Sequence, residues 1–231
     1  MVLKYILCCF IVKDCFFVAA FIHGNVHAPE QMSSALLSIY YESNSTESTR
    51  FIVNQLEPVM ELLHKHITLR LIPFGRAKSI NYGLKGFTCH NGQSECLGNM
   101  VQDCTLNLMY RQTDLDRLKY VVCEMKTQAG LKGNPRCILK TKVPREDVVR
   151  CITSSHGTQL QLSSEYLTKL IQPTHIPTIT INGIYNPDVD KHAQVDLMGT
   201  LCSLMKNIFP CATYYNQIAL DQIFHKYYMR S

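Results

Sequence analysis

Eight cysteines downstream of an apolar N-terminus constrain this chain more than any other feature. Cys89, Cys96, Cys104, Cys123, Cys137, Cys151, Cys202 and Cys211 follow a leader-like stretch that holds Cys8, Cys9 and Cys15. That stretch has a basic start at Lys4, apolar runs broken at Lys13-Asp14, and Val26-His27-Ala28 before Pro29. It reads as a secretory signal over 1–28, ahead of a single domain over 29–231. An even set of cysteines in an oxidising compartment reads as a disulfide framework of up to four bridges, whose pairing the spacing leaves open. A zinc site through Cys89-His90 and Cys96 lacks a Cys-X2-Cys pair, so neither metal nor cofactor is expected.

A framework of cross-links still needs a core, and the composition supplies one. Hydrophobic residues make up 46% of the 231 and charged residues 18%, which excludes a disordered chain. The formal charge of +5 is spread along the chain and reads as solubility rather than a nucleic-acid footprint. After the leader, no segment is long and apolar enough to span a bilayer, so no membrane contact is expected of the mature chain.

The apolar and aromatic run over 35–41 predicts a buried strand. Asn44, Ser45 and Thr46 can each cap the helix that follows. Phe51, Ile52, Leu56, Val59, Met60 and Leu63 recur at helical spacing, with a kink expected at Pro58. Ile67, Leu69 and Leu71 alternate with Thr68 and Arg70 as a second strand, giving a right-handed β-α-β unit. Residues 80–164 hold most of the cysteines and read as a helical insertion, with helices over 95–110 and 114–126. A helix over 163–171 exits at Pro173 and Pro177. Thr178 to Ile181 then predicts a strand, Asn182-Gly183 a hairpin turn, and Ile184-Tyr185 a returning strand. A final amphipathic helix is expected over 189–208. The expected class is α/β, a thioredoxin-like fold with a disulfide-rich helical insertion.

The string Cys89-His90-Asn91-Gly92-Gln93-Ser94-Glu95-Cys96-Leu97-Gly98-Asn99, followed by Cys104, is the most specific in the chain. It resembles the Cys-Gln-His-Gly-X2-Glu-Cys-X2-Asn-X4-Cys signature of the gamma-interferon-inducible lysosomal thiol reductase family, with His90-Asn91 in place of Gln-His. Tyr40-Tyr41-Glu42, Arg50-Phe51-Ile52, Pro73-Phe74-Gly75-X-Ala77, Ile176-Pro177, Asn182-Gly183, Leu201-Cys202 and Pro210-Cys211 agree in order. Thr178 departs from the tryptophan common in the family.

The resemblance implies a thiol-disulfide oxidoreductase of protein disulfides, on a secreted or endolysosomal route. It also implies that Ser45 and Ser48 stand where the family keeps its Cys-X-X-Cys, with no gap between the flanking motifs. Serine neither attacks sulfur usefully nor forms a disulfide, so a dithiol mechanism is not expected at this site. Pro177 resembles the cis-proline loop that presents backbone groups to an extended substrate. Extended or cysteine-containing peptides or proteins are therefore the expected partners. Three readings stay open: an impaired reductase that still binds peptides, a reductase using another cysteine pair, and a secreted glycoprotein binding module. Ser45 serves as a helix cap or, with His175, as a nucleophile pair. Asn44-Ser45-Thr46 is the one Asn-X-Ser/Thr sequon in the chain.

Overall fold

The central strand β1 (Ala35–Tyr41) is hidden on both faces, as its nearly unbroken apolar sequence requires. The computed structural model describes residues 32–228, so the expected leader over 1–28 lies outside the described residues. After β1 the chain enters α1 (Thr46–Phe51), a π-helical turn over Ile52–Leu56, and α2 (Glu57–Leu63). The π turn is how the helix absorbs Pro58. Proline has no N–H to return to the preceding turn, and the widened turn instead sends Glu57 N–H back five residues to the Ile52 carbonyl. Phe51, Ile52, Leu56, Met60 and Leu63 form the buried stripe that the sequence predicts.

Strand β2 (Ile67–Pro73) pairs in parallel with β1, Leu37 opposite Leu69 and Ile39 opposite Leu71. A short hairpin of β3 (Lys78–Ser79) and β4 (Phe87–Thr88), not expected from the sequence, leads into the helical region. That region holds α3 (Gln93–Leu108), α4 (Asp114–Thr127), α5 (Arg145–Ile152) and α6 (Ser155–Ile171). Helix α4 begins with a capping box between Thr113 and Asp116. Strand β5 (Thr178–Ile181) then pairs antiparallel with β1, completing a three-stranded sheet of order β2-β1-β5.

Two expectations are corrected beyond β5. Asn182 and Gly183 adopt positive φ and turn the chain, but the returning strand at Ile184-Tyr185 stops at a single bridge, Ile181 to Ile184. Two residues later Asn186 caps α7 (Pro187–Val195), accepting from Asp188 and Val189 N–H, and Pro187 has no N–H for a ladder. The single helix expected over 189–208 is split at Asp196, which ends α7 and caps α8 (Leu197–Leu204) by accepting from Gly199 N–H. A further helix, α9 (Phe209–Tyr228), follows.

The framework resolves into Cys89–Cys96, Cys104–Cys151, Cys123–Cys137 and Cys202–Cys211. Cys104–Cys151 ties α3 to α5 across 47 residues, a closure that restricts the unfolded chain by roughly 4 kcal/mol in the loop-entropy treatment. Cys202–Cys211 bridges the break between α8 and α9.

Several carboxyls are buried in this scaffold. Asp103 keeps a little surface, but its Oδ2 accepts from Gln161 Nε2 at 2.5 Å and from Ser164 Oγ at 2.8 Å on α6. Desolvation pushes its carboxyl up to about 8 despite those two donors. Burial also raises Glu124, although Gly130 N–H donates to it at 2.6 Å, and raises Glu95 and Asp190. A carboxyl raised in the fold holds its proton more tightly folded than unfolded. Its contribution is therefore complete below the ordinary value of 3.8 and is lost as pH rises through about 8. Chemical unfolding should accordingly give a higher midpoint at pH 5 than at pH 7.5. Asp103→Asn should flatten that difference, and an unchanged slope would remove Asp103 as its source.

Candidate functional site

The site is a corner at the carboxyl end of β1, and it is built from a buried acid outward. Glu42 has no exposed surface. Its carboxylate takes three donors from one residue: Arg76 Nε, Arg76 Nη2 and the Arg76 backbone N–H, each at 2.9 Å. Gly75 makes this possible. Its φ is +58°, and a Cβ there would stand 2.2 Å from Glu42 Cγ.

The next residue is clamped from another side. Ser43 N–H donates to Asn99 Oδ1 at 3.0 Å, and Ser43 Oγ donates to the Glu95 carbonyl at 3.1 Å. Gly98 lets α3 come this close, since a Cβ at that position would fall 2.6 Å from Ser43 Oγ. Glu95 itself accepts from Asn91, through the backbone N–H and through Nδ2 at 2.6 Å. The cysteine-rich string thus serves as the brace for the corner.

Ser45 has extended backbone and is the N-cap of α1, its Oγ accepting from Ser48 N–H at 3.1 Å. Ser45 Oγ also donates to Glu47 Oε2 at 3.2 Å. Glu47 lies at the exposed helix start, where its own backbone N–H and the Ser45 hydroxyl hold its carboxyl below the ordinary range. It is therefore a weak base for activating a hydroxyl. Ser48 is fully buried, and its Oγ accepts from Glu42 N–H at 3.3 Å. Asn44 is half-buried, with its Oδ1 accepting from Gln128 Nε2 at 3.3 Å.

The antiparallel pairing of β5 places Thr178 opposite Tyr40 and so brings the loop before β5 to this end of the sheet. The Ile176-Pro177 peptide bond is cis. Pro177 is buried, and its carbonyl accepts from Gln194 Nε2 at 2.7 Å. Asp190, fully buried, accepts from Ile179 N–H at 3.0 Å and lies 3.1 Å from His175 Nε2. Thr178 Oγ1 donates to the His175 carbonyl. Among the described residues, neither the N–H nor the carbonyl of Ile176 has a hydrogen-bond partner.

Ser45, Ser48 and Asn44 therefore share one corner, and Pro177 shares that end of the sheet. No hydrogen bond joins Ser45 and His175 among the described residues: Ser45 Oγ accepts from Ser48 N–H and donates to Glu47, and His175 lies against Asp190. All eight cysteines of the described residues are in disulfides. Glu42, Gly75, Arg76, Asp190 and Gln194 were not singled out by sequence reasoning. Their signal was partial: Glu42, Gly75 and Arg76 lie in or beside recognisable strings, but no local pattern pairs one string with the other.

A parallel β-α-β opening, a helix N-terminus at the β1 exit and a cis-proline before an antiparallel neighbour define a thioredoxin-fold protein. The fold is similar to that of MdbA, a thiol-disulfide oxidoreductase from Actinomyces oris, with a TM-score of 0.50 at 17% identity over 76% of this chain and 82% of that one. The sequence model described as "Gamma interferon inducible lysosomal thiol reductase (GILT)" matches residues 36–141. GILT-like protein 1 of Drosophila melanogaster is 31% identical over 183 residues, covering 72% of this chain and 73% of that protein. The gamma-interferon-inducible lysosomal thiol reductase of Carassius auratus is 29% identical over 78% of this chain and 72% of its own length. The chain belongs to the GILT family of thiol-disulfide-oxidoreductase-like proteins.

Substitution tests the architecture of the corner. Ser45→Ala should cost about 1 kcal/mol of unfolding free energy, while Ser45→Asp, which keeps the cap, should cost much less. Gly75→Ala should cost about 2 kcal/mol or more, from left-handed backbone and the displaced Glu42. Equal losses for Ser45→Ala and Ser45→Asp in urea titrations would contradict the capping role.

Proposed function

We propose that this GILT-family chain is a binding protein for extended or cysteine-containing peptides that no longer reduces disulfides at its strand-to-helix corner. The observation that carries the reading is the chemistry at Ser45 and Ser48. One hydroxyl caps α1, the other accepts from Glu42 N–H inside the fold, and every described cysteine is already paired. Disulfide reduction needs a thiolate to attack sulfur and a second thiol to resolve the mixed disulfide. A hydroxyl performs neither step, and no base restores a redox couple that does not exist.

Peptide binding finds support at the loop before β5. The unpaired N–H and carbonyl of Ile176 offer one donor and one acceptor to an extended chain, in the manner of strand addition. His175, Asp190 and Gln194 hold that loop independently of any ligand.

We assign the chain to the secretory route, with an endolysosomal or extracellular destination. The lysosomal relatives and the carboxyls that favour the folded state at low pH support this assignment. No helix among the described residues is long and apolar enough to cross a membrane. A glycan on Asn44 would stand beside the Ser45 cap, and Asn44→Gln should then increase the protein's gel mobility when it is made in a secretory host.

Insulin reduction at pH 5 and pH 7 tests the central claim. The unmodified chain should stay at the buffer background, and Ser45→Cys with Ser48→Cys should raise the rate at least tenfold. Turnover by the unmodified chain that thiol blocking abolishes would overturn the reading.

A further inference from the structure

The four disulfides are not equivalent. In Cys104–Cys151 one cysteine is fully buried and the other 5% exposed, Cys202 and Cys211 are both fully buried, and Cys137 is fully buried opposite Cys123. Cys89 and Cys96 are both partly exposed, and of the six residues between them His90 to Ser94 are exposed while Glu95 is buried. The pair also closes the shortest loop of the four, with a sequence separation of 7.

We infer that Cys89–Cys96 is a thiol-exchange site that takes low-molecular-weight thiols and is S-thiolated at Cys89. The inference goes beyond the peptide-binding reading, since it needs neither the Ser45 corner nor a bound peptide. It also gives the chain a redox chemistry separate from the serine positions.

The geometry sets the direction of attack. Cys96 lies in the first turn of the 16-residue helix α3, where the backbone dipole favours negative charge. Cys96 is therefore the better leaving group. An incoming thiolate bonds to Cys89 Sγ as the Cys89–Cys96 bond breaks, and the electron pair leaves on Cys96 Sγ. That sulfur then takes a proton from solvent, and the thiol has an acceptor in the Phe87 carbonyl oxygen, 3.4 Å away. A second thiolate attacks the small-molecule sulfur of the mixed disulfide and releases Cys89. The balance is two small thiols oxidised to one disulfide, and one protein disulfide reduced to two thiols.

The loop is built to survive this. Both hydrogen bonds from Asn91 to the Glu95 carboxylate, and those from Ser43 to Glu95 and Asn99, involve no sulfur. Cys104–Cys151 continues to hold α3 to α5. Opening Cys89–Cys96 therefore leaves the loop tied to Glu95 through Asn91 and the helix docked.

Graded reduced and oxidised glutathione, followed by acid quench, alkylation and peptide mapping, reads the site directly. The native protein should label at Cys89 and Cys96 at glutathione ratios that leave the other six cysteines unlabelled, with the far-ultraviolet circular dichroism unchanged. Cys96→Ser should accumulate a glutathione adduct at Cys89. Another pair opening first, or Cys89 and Cys96 labelling only as the protein unfolds, would overturn the inference. Should Cys96→Ser fail to fold, the labelling order of the native protein decides alone. The readout is stoichiometric labelling, so this test and the insulin assay fail independently.

Discussion

The buried Glu42 carboxylate is the constraint on which the corner depends. A charge removed from water costs several kcal/mol unless its partner and hydrogen bonds are nearly ideal. Glu42 has no exposed surface, and Arg76 meets it with two guanidinium donors and a backbone N–H at 2.9 Å. The cost of leaving that acid unpaired locks together the exits of β1 and β2. Gly75 must then be glycine, because the acid occupies the space of its Cβ. Ser43, one residue on, is held by Asn99 and the Glu95 carbonyl, which docks α3 against the same corner.

Much of this architecture was legible along the chain. β1, β2 and the helix between them follow from an apolar run, a cap and two periodicities, all of them local signals. The disulfide framework was legible as a framework, and its pairing was not, since spacing alone says nothing about which helices pack together. The returning strand at Ile184-Tyr185 and the unbroken final helix were misread for one reason. Asn186 and Asp196 each cap a helix, and a cap at those positions stops the pattern on its N-terminal side. The π turn before Pro58 was legible only as a kink, because the helix can relieve a proline in more than one way.

The site was read in halves. Ser45, Ser48, Asn44 and Pro177 came from matched strings, and the structure gives Ser45 its capping bond and Pro177 its cis peptide. The side chains that support them come from elsewhere: Arg76 after β2, Asn99 in α3, and Asp190 and Gln194 in α7. Such partners are distant in sequence, and hydrogen bonding across a fold leaves no periodic trace.

The sequence by itself determined the class of fold, the family and the chemical identity of two positions. These rest on local patterning, on ordered motifs and on the plain difference between a hydroxyl and a thiol. Only the tertiary structure decided what the serines do instead, which cysteines pair, and which pair meets solvent. Ser45 became a cap and Ser48 a buried acceptor because α1 starts where β1 ends. Cys89–Cys96 became the accessible disulfide because its loop packs at the surface while the other three bonds have sulfurs in the core. Burial and contact are properties of the packed chain, set by which distant surfaces exclude water together.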